Sequence, residues 1–281
     1  MQLILISGLS GSGKSIALKI LEDSGFYCVD NLPSPLLPNV VETITAYGYA
    51  RIAISVDTRS APMLPALPQV VVQLREKGLD LRLIFLDAKT DTLIKRFSET
   101  RRRHPLSEEG LTIPECIQRE RAMLVPIHQI SQCVDTSDLS ANQLRSWMKQ
   151  LADKDSSRLT VVVQSFGFKY GIPLDADFVF DVRCLPNPYY EPALREMSGQ
   201  DASVAGFLAA DPAVNAMFAD IHGMVARWLP EFTRDNRSYL TIAIGCTGGQ
   251  HRSVYLADRL AAALEGGDEQ VLVRHRQLFR A

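Results

Sequence analysis

The chain has 281 residues, which is long enough for two domains of ordinary size. Hydrophobic residues make up 46% of it and charged residues 22%, a balance typical of a soluble globular protein with an apolar core. The formal net charge of −2 excludes a general electrostatic attraction to nucleic acid. Any RNA contact therefore has to come from a local basic patch.

No apolar run approaches the roughly 20 residues that a membrane-spanning helix needs. The apolar start, MQLILIS, is too short for a signal peptide and has no basic segment before it. The five cysteines are odd in number and irregularly spaced, which predicts neither a disulfide framework nor a paired metal-ligand pattern. We therefore expect a cytoplasmic protein without membrane contact.

Short apolar runs alternate with helical stretches along the whole chain, which predicts α/β layers around largely parallel sheets. In the first half, strands are predicted at 3–7, 27–30, 51–57, 81–87 and 132–135, and helices at 15–24, 67–77 and 90–103. The last four of these strands end on Asp. The carboxyl ends of parallel strands are where such sheets bind ligands.

A polar segment at 152–158 separates two apolar patterns, so we place the domain boundary there. The first domain covers residues 1–153 and the second covers 157–281. In the second domain, strands are predicted at 159–164, 178–182 and 239–244, and helices at 203–209, 214–229 and 252–264. The predicted fold is a P-loop kinase-like parallel-sheet domain followed by a second, smaller α/β domain.

The first predicted strand leads into a phosphate-binding motif. The residues that match G-x-x-x-x-G-K-[S/T] are Gly8, Leu9, Ser10, Gly11, Ser12, Gly13, Lys14 and Ser15, and a predicted helix follows them. In such loops, backbone N–H groups and the helix N-terminus hold an anion, and the lysine reaches the outer phosphates. The sequence thus predicts a nucleotide site with Mg²⁺, held by Ser15 and, through water, by Asp57. Asp87 competes with Asp57 for that role.

Two further features are those that a small-molecule kinase would use. Asp30 lies where such kinases place an acid against the acceptor, although a turn or a helix cap explains it equally well. A basic cluster could close over transferring phosphates or could be a solvated face. Its members are Arg96, Arg101, Arg102, Arg103 and His104.

Residues 241–254, TIAIGCTGGQHRSV, repeat the pattern of strand, glycine loop and helix. Cys246, Gly249 and Arg252 have the C-x-x-G-x-x-R-[S/T] spacing of cysteine phosphatases. A phosphatase also needs a general acid, and neither Asp181 nor Asp235 lies in a recognisable acid loop. Three interpretations stay open: phosphate binding without chemistry, which we favour, catalysis, and a structural turn.

If the loop binds a sugar phosphate, polar residues at nearby strand ends should contribute to the site. The predicted phosphosugar-binding residues are Asp181, Arg183, Asn187, Cys246, Thr247, Gly248, Gly249, His251, Arg252 and Ser253. No catalytic residue is predicted among them.

The chain resembles the RapZ/YvcJ family in six motifs that span both domains. They are GLSGSGKS at 8–15, GFYCVDNLP at 25–33, the DTR that begins at Asp57, SFGFKYGIP at 165–173, DVRCLPNPYY at 181–190 and IGCTGGQHRSV at 244–254. Members of this family are described as nucleotide-binding proteins and RNase adapters.

The resemblance implies binding of ATP or GTP at residues 8–15 and at Asp57, Thr58, Arg59 and Ser60, with at most weak hydrolysis. It also implies a homotetramer that binds a small regulatory RNA and presents it to an RNase E-type endonuclease. The second domain of such proteins senses glucosamine-6-phosphate and binds RNA. These are expectations from resemblance.

Adapter-type members of the family end in a Lys/Arg-rich tail, whereas residues 273–281 here read VRHRQLFRA. Arg274, Arg276 and Arg280 could contact RNA phosphates, or they could form an ordinary basic terminus. The expected function is that of a RapZ-type nucleotide-binding regulator. The alternatives are a small-molecule kinase, a nucleotide-hydrolysing switch without RNA binding, and a cysteine phosphatase.

Overall fold

The computed structural model describes residues 1–107, 110–152, 158–234, 237 and 239–278. The chain folds into two compact units, Met1–Ser156 and Ser157–Ala281. Each unit has its own hydrophobic core and a β-sheet whose described strands are all parallel. The predicted fold class is confirmed.

The sheet of the first unit has five strands. They are β1 (Gln2–Gly8), β2 (Tyr27–Val29), β3 (Arg51–Ser55), β4 (Asp80–Asp87) and β5 (Gln132–Asp135). Their order in the sheet is β2-β3-β1-β4-β5. Because β1 lies between β3 and β4, the loop that follows β1 is flanked by the residues that follow its two neighbours. This edge is the ligand-binding edge of a parallel sheet.

In the described part of the first unit, the sheet is accompanied by the helices α1 (Lys14–Asp23), α2 (Leu37–Ala46), α3 (Leu67–Glu76), α4 (Thr90–Thr100), α5 (Ile113–Gln129) and α6 (Ala141–Ala152). The predicted helix over 90–103 is too long, because Arg101 adopts a left-handed conformation with φ 51° and ends α4. The predicted strand over 51–57 is likewise shorter, since Asp57 caps a 3₁₀ helix, Thr58–Ala66.

The second unit has four strands, β6 (Thr160–Gly167), β7 (Phe178–Asp181), β8 (Tyr239–Cys246) and β9 (Gln270–His275). Their order is β7-β8-β6-β9. The helices of this unit are α7 (Ala202–Ala209), α8 (Pro212–Arg234) and α9 (Arg252–Leu264). Within the described ranges, no single helix passes a length-and-hydropathy test for crossing a membrane. Helices α7 and α8, bent by 89°, pass it only when taken together.

Strand β9 corrects the expectation of a basic tail. Residues 270–275 pair with β6 along the sheet, from Thr160 opposite Gln270 to Ser165 opposite His275. The side chains of Arg274 and Arg276 are only 6% and 1% exposed, and both lie near the buried carboxylate of Asp175. These two arginines therefore belong to the interior of the unit and do not present their guanidinium groups to solvent.

Candidate functional site

The phosphate loop of the first unit connects the end of β1 to the start of α1. Gly8 ends β1 with φ 139°, and a Cβ atom at this position would lie 2.2 Å from the carbonyl oxygen of Leu86. Only glycine fits there without displacing β4. The glycine at the start of the motif is therefore required by the close approach of two backbones.

Lys14 lies along its own loop. Its Nζ atom donates hydrogen bonds to the carbonyl oxygens of Gly8 at 2.7 Å and Leu9 at 3.1 Å. Burial lowers the pKa of Lys14, and the negative charges of Glu120 and Asp57 work against that effect. The ammonium group is thus held by two weak acceptors, which a phosphate oxygen would outcompete.

A cleft of about 660 Å³ opens over this loop. Its lining includes residues 10–16, Asp30, Asp57, Arg59, Arg96, Arg102 and Arg103. Asp87 does not line the cleft, and its carboxylate instead accepts hydrogen bonds from Arg121 at 2.6 and 2.9 Å. Between the two candidate acids for Mg²⁺, the position in the cleft favours Asp57.

Ser15 and Asp57 offer a hydroxyl and a carboxylate to the same cleft, and hard cations such as Mg²⁺ prefer such oxygen ligands. The carboxylate of Asp57 also accepts the backbone N–H of Arg59 at 2.9 Å and its guanidinium group at 2.7 Å. Arg59 in turn lies 3.8 Å from Asp30. The donor set fits Mg²⁺ held through water, with Arg59 keeping the carboxylate in place.

The basic cluster divides into three parts. Arg96 donates to the carbonyl oxygens of Gly11 at 3.1 Å and Thr136 at 2.7 Å, so it braces the phosphate loop. Arg102 and Arg103 are exposed and line the cleft, as a lid over phosphates requires. Arg101 only ends α4, and His104 is buried below the surface.

Glu120 is a buried residue that the sequence analysis missed. Its carboxylate accepts the N–H and the hydroxyl of Ser10, both at 2.8 Å, and the hydroxyl of Thr58 at 2.7 Å. The Nε2 atom of His104 lies 3.1 Å from it. Burial by itself would raise the pKa of Glu120, but the hydrogen bond from His104 and the charge of Lys14 hold it below the ordinary value. The side chain is thus an ionised acceptor below the phosphate loop.

Within the Asp57–Ser60 motif, Thr58 contacts this carboxylate. Ser60 lies within the 3₁₀ helix Thr58–Ala66, directly after Arg59. The structure therefore places Asp57, Thr58 and Arg59 beside the phosphate loop, in two different environments. Asp57 and Arg59 face the cleft, whereas Thr58 faces the interior.

The second loop, residues 246–252, connects β8 to α9. Cys246 is 3% exposed, and its Sγ atom accepts the backbone N–H of Gly249 at 3.2 Å and lies 3.1 Å from the Ser253 hydroxyl. Gly249 has φ 75°, and a Cβ atom there would lie 2.7 Å from the backbone nitrogen of Gly167. The loop therefore packs against the end of β6, with Cys246 as an internal acceptor that shapes it.

Arg252 has a different role from the predicted one. Its Nη1 atom donates to the carbonyl oxygens of Arg183 at 2.8 Å and Leu185 at 2.9 Å, and Nη2 lies 3.3 Å from the hydroxyl of Thr247. The guanidinium group ties the segment after β7 to the second loop and does not stand free around an anion. Its Nε atom and Nε2 of His251 are buried without a hydrogen-bond partner among the described residues. Buried polar atoms of this kind need an explanation, and a polar ligand provides one.

The remaining predicted phosphosugar residues are exposed or half-buried. Asp181 and Arg183 form an exposed pair at 2.6 Å, and the hydrogen bond from Arg183 lowers the pKa of Asp181. Arg183 also lies over the ring of Phe168, 4.0 Å from its centre. The side chain of Asn187 caps the turn at Tyr189. Gly248 lies in the loop with open space beside it. Asp235, the other candidate acid, and Arg280 lie outside the described residues.

Comparison with known proteins identifies the family. A model of the RapZ-like N-terminal domain matches residues 1–156, and a model of the RapZ C-terminal domain matches residues 159–279. A nucleotide-binding protein of Chromobacterium violaceum is 60% identical over 280 residues, covering 100% of this chain and 99% of its own. One of Laribacter hongkongensis is 59% identical over 280 residues, with both chains covered completely, at 100% each.

Among solved structures, a sugar kinase from a Janibacter species aligns with a TM-score of 0.38 and 18% identity, covering 53% of this chain and 93% of its own. A shikimate kinase of Bacteroides thetaiotaomicron aligns with a TM-score of 0.35 and 16% identity, covering 53% and 95%. Because the two family models together cover both units and relatives near 60% identity match from end to end, the chain belongs to the RapZ family of nucleotide-binding proteins.

Proposed function

We propose that this chain is a nucleotide-dependent regulator with two ligand sites and an RNA-binding surface. The first unit binds ATP or GTP with Mg²⁺, and the second senses an amino-sugar phosphate such as glucosamine-6-phosphate. The protein binds a small regulatory RNA and presents it to an RNase E-type endonuclease. It acts as a homo-oligomer, for which the family resemblance implies a tetramer. One observation carries the proposal: each unit has its own loop of glycines between a parallel strand and a helix, and such a loop is an anion cradle.

The nucleotide part is supported by the cleft above the phosphate loop. Lys14 is held by carbonyl oxygens that a phosphate would replace, and Arg102 and Arg103 face the same space. Mg²⁺ would neutralise phosphate charge there, held by Ser15 and Asp57. Asp30 lines the cleft as well, which is the observation that favours a small-molecule kinase. A screen for phosphoryl transfer from ATP to metabolites separates the two, since turnover of about 1–10³ per second is typical of an enzyme.

The sensor part is supported by the second loop. Backbone N–H groups at the start of α9 suit a phosphate, and His251 and Arg252 each hold an unpartnered buried nitrogen among the described residues. Asp181 and Arg183 at the loop's exposed side suit the hydroxyl and amino groups of a sugar. Binding without hydrolysis is favoured over catalysis, because Arg252 is committed to the carbonyl oxygens of Arg183 and Leu185.

The proposed RNA-binding surface lies outside β9, because the side chains of Arg274 and Arg276 are buried. Of the cations that lie over aromatic rings in the second unit, three are on the segments that follow β6 and β7: Lys169 over Tyr170, Arg183 over Phe168 and Arg195 over Tyr189. Tyr190 beside them is 76% exposed. Cations that contact phosphates, together with aromatic rings that stack bases, are what a single-stranded RNA site uses. We therefore assign RNA contact to this aromatic–cationic surface.

The test measures RNA affinity at several salt concentrations. Lys169→Ala and Arg195→Ala should each lower the slope of log affinity against log salt by about 0.7, since each removes one phosphate contact. Tyr190→Ala should weaken binding without changing the slope. Arg227→Ala, an exposed cation on α8, is the matched control. If the three surface variants bind RNA as the wild type and the control do, this surface is not the contact. Wild-type protein that binds no RNA would remove the adapter role.

A further inference from the structure

Three segments that face the nucleotide cleft meet below it at one buried carboxylate. The segments are the phosphate loop, through Ser10, the Asp57–Ser60 motif, through Thr58, and the arginine-bearing stretch 101–107, through His104. Each contributes donors to Glu120, at distances between 2.7 and 3.1 Å. The side chains of Glu120 and His104 are 0% exposed.

The hydrogen-bond inventory explains why this position carries a carboxylate. The four groups that contact Glu120 among the described residues are donors, namely the N–H and O–H of Ser10, the O–H of Thr58 and the Nε2–H of His104. An ionised carboxylate has about four lone-pair sites and no donor, so it can accept all of them. An amide of the same size would direct two N–H groups at this set, and at least one buried donor would lose its partner.

The tautomer of His104 makes the connection directional. The backbone N–H of Leu106 donates to Nδ1 of His104 at 3.1 Å, so Nδ1 is an acceptor and Nε2 carries the proton given to Glu120. The imidazole therefore links the stretch that contains Arg102 and Arg103 to α5. The ring also packs 5.1 Å from Phe97, the last buried residue of α4. The stretch has no regular secondary structure of its own, so this link sets where its arginines stand.

We propose that Glu120 is a positioning residue that holds Arg102 and Arg103 over the phosphate loop. It contacts no nucleotide itself. It binds both Ser10 and the arginine-bearing stretch 101–107 through one carboxylate. The phosphate loop and the two arginines therefore keep a fixed position relative to each other. The affinity that Arg103 adds to nucleotide binding therefore depends on Glu120.

A double-mutant cycle with ATP as the probe tests this proposal. Arg103→Ala should weaken ATP binding about tenfold in the wild type, since it removes a charge-assisted contact. In a Glu120→Gln background, the same change should cost less than about twofold, because the arginine is no longer positioned. Glu42→Gln, an exposed carboxylate on α2, is the control background and should leave the tenfold effect intact.

His104→Leu provides a second route if Glu120→Gln folds poorly. This variant removes the hydrogen bond from the stretch 101–107 to Glu120 and the acceptor of the Leu106 N–H, and it leaves the contacts of Glu120 with Ser10 and Thr58 in place. It should likewise reduce the effect of Arg103→Ala to less than about twofold, measured at a temperature at which the variant is folded. Additive effects in both backgrounds would overturn the proposal, because Glu120 would then be a purely local structural residue. Wild-type protein that does not bind ATP would overturn the nucleotide site itself.

Discussion

The two glycine loops of this protein share a local plan and differ in how their cation is used. In the first, Lys14 rests on two carbonyl oxygens of its own loop, Gly8 and Leu9, and can leave them for a stronger acceptor. In the second, Arg252 is tied to the carbonyl oxygens of Arg183 and Leu185 in another segment. The first cation is a movable ligand for phosphates, whereas the second is a fixed brace. The sequence motifs alone do not distinguish these two roles. The carbonyl oxygens that each cation contacts do distinguish them.

The largest expected effect comes from removing the movable cation. Lys14→Ala should weaken ATP or GTP binding by about 100-fold or more, because charge-assisted hydrogen bonds to two phosphate oxygens are lost. Equilibrium dialysis with Mg²⁺ measures it. Lys149→Ala, an exposed lysine on α6, is the control and should bind as the wild type does. Equal affinity of Lys14→Ala and wild type would place the nucleotide elsewhere.

Removing the fixed brace should have a smaller effect on a different ligand. Arg252→Ala should weaken glucosamine-6-phosphate binding about tenfold, since the second loop loses its tie to the segment after β7 as well as a nearby positive charge. Cys246→Ser should retain most of the binding, because a hydroxyl can still accept the N–H of Gly249. Calorimetry measures both, with released phosphate followed in parallel. Phosphate release that depends on Cys246 would turn the second loop into a phosphatase site.

A pair of neighbouring glycines sharpens the comparison by testing the shape of the second loop alone. Gly249→Ala should destabilise the unit by about 1–3 kcal/mol, because φ is positive and the added Cβ meets backbone atoms of Phe166 and Gly167. Gly248→Ala has nothing within 4 Å of its Cβ and should be close to neutral. Chemical denaturation gives both values. Similar losses of unfolding free energy for the two variants would contradict the described conformation of the second loop.

The sequence predicted the two loops because each is a local pattern, read from a few adjacent residues. Asp57 was predicted for a similar reason, since it follows a buried strand. Glu120 was missed because it lies between Arg119 and Arg121, in a stretch that looks like a solvated helix face. Its contacts come from Ser10, 110 residues away along the chain. Long-range pairing of this kind leaves no local signal.

Strand β9 was missed for a related reason. Arg274, His275 and Arg276 suggested a basic tail, although Val271 and Val273 alternate with other residues as a strand requires. The partner that makes burial of the arginines possible, Asp175, lies on a distant segment, 3.4 Å from Arg274. A run of charged residues predicts solvent-exposed side chains only where the fold supplies no buried residue of opposite charge to pair with them.

The smallest expected effect is the pH dependence of stability that Glu120 adds to the first unit. Burial would raise its folded-state pKa, but the bond from His104, the charge of Lys14 and the bonds from Ser10 and Thr58 together hold that pKa below the ordinary 4.5. A lowered folded pKa contributes stability that is complete above the unfolded pKa and is lost as pH falls through the folded pKa. Melting temperatures in acid should therefore fall more steeply for wild type than for Glu120→Gln. Parallel curves would show that folding does not lower the pKa of Glu120.

The position of β9 has a consequence for synthesis of the protein. Strand β6 is the first strand of its sheet to be synthesised. Its neighbour β9 follows 110 residues later, since Thr160 pairs with Gln270 and Ser165 with His275. At about 5–20 residues per second, the edge of β6 that pairs with β9 stays unpaired for roughly 5–20 s, and its other edge is unpaired until β8 is made. An exposed strand edge of Val161, Val162 and Val163 is a template for wrong pairing during that interval. Translation speed and chaperone access after residue 167 should thus influence how much of the second unit reaches its native sheet.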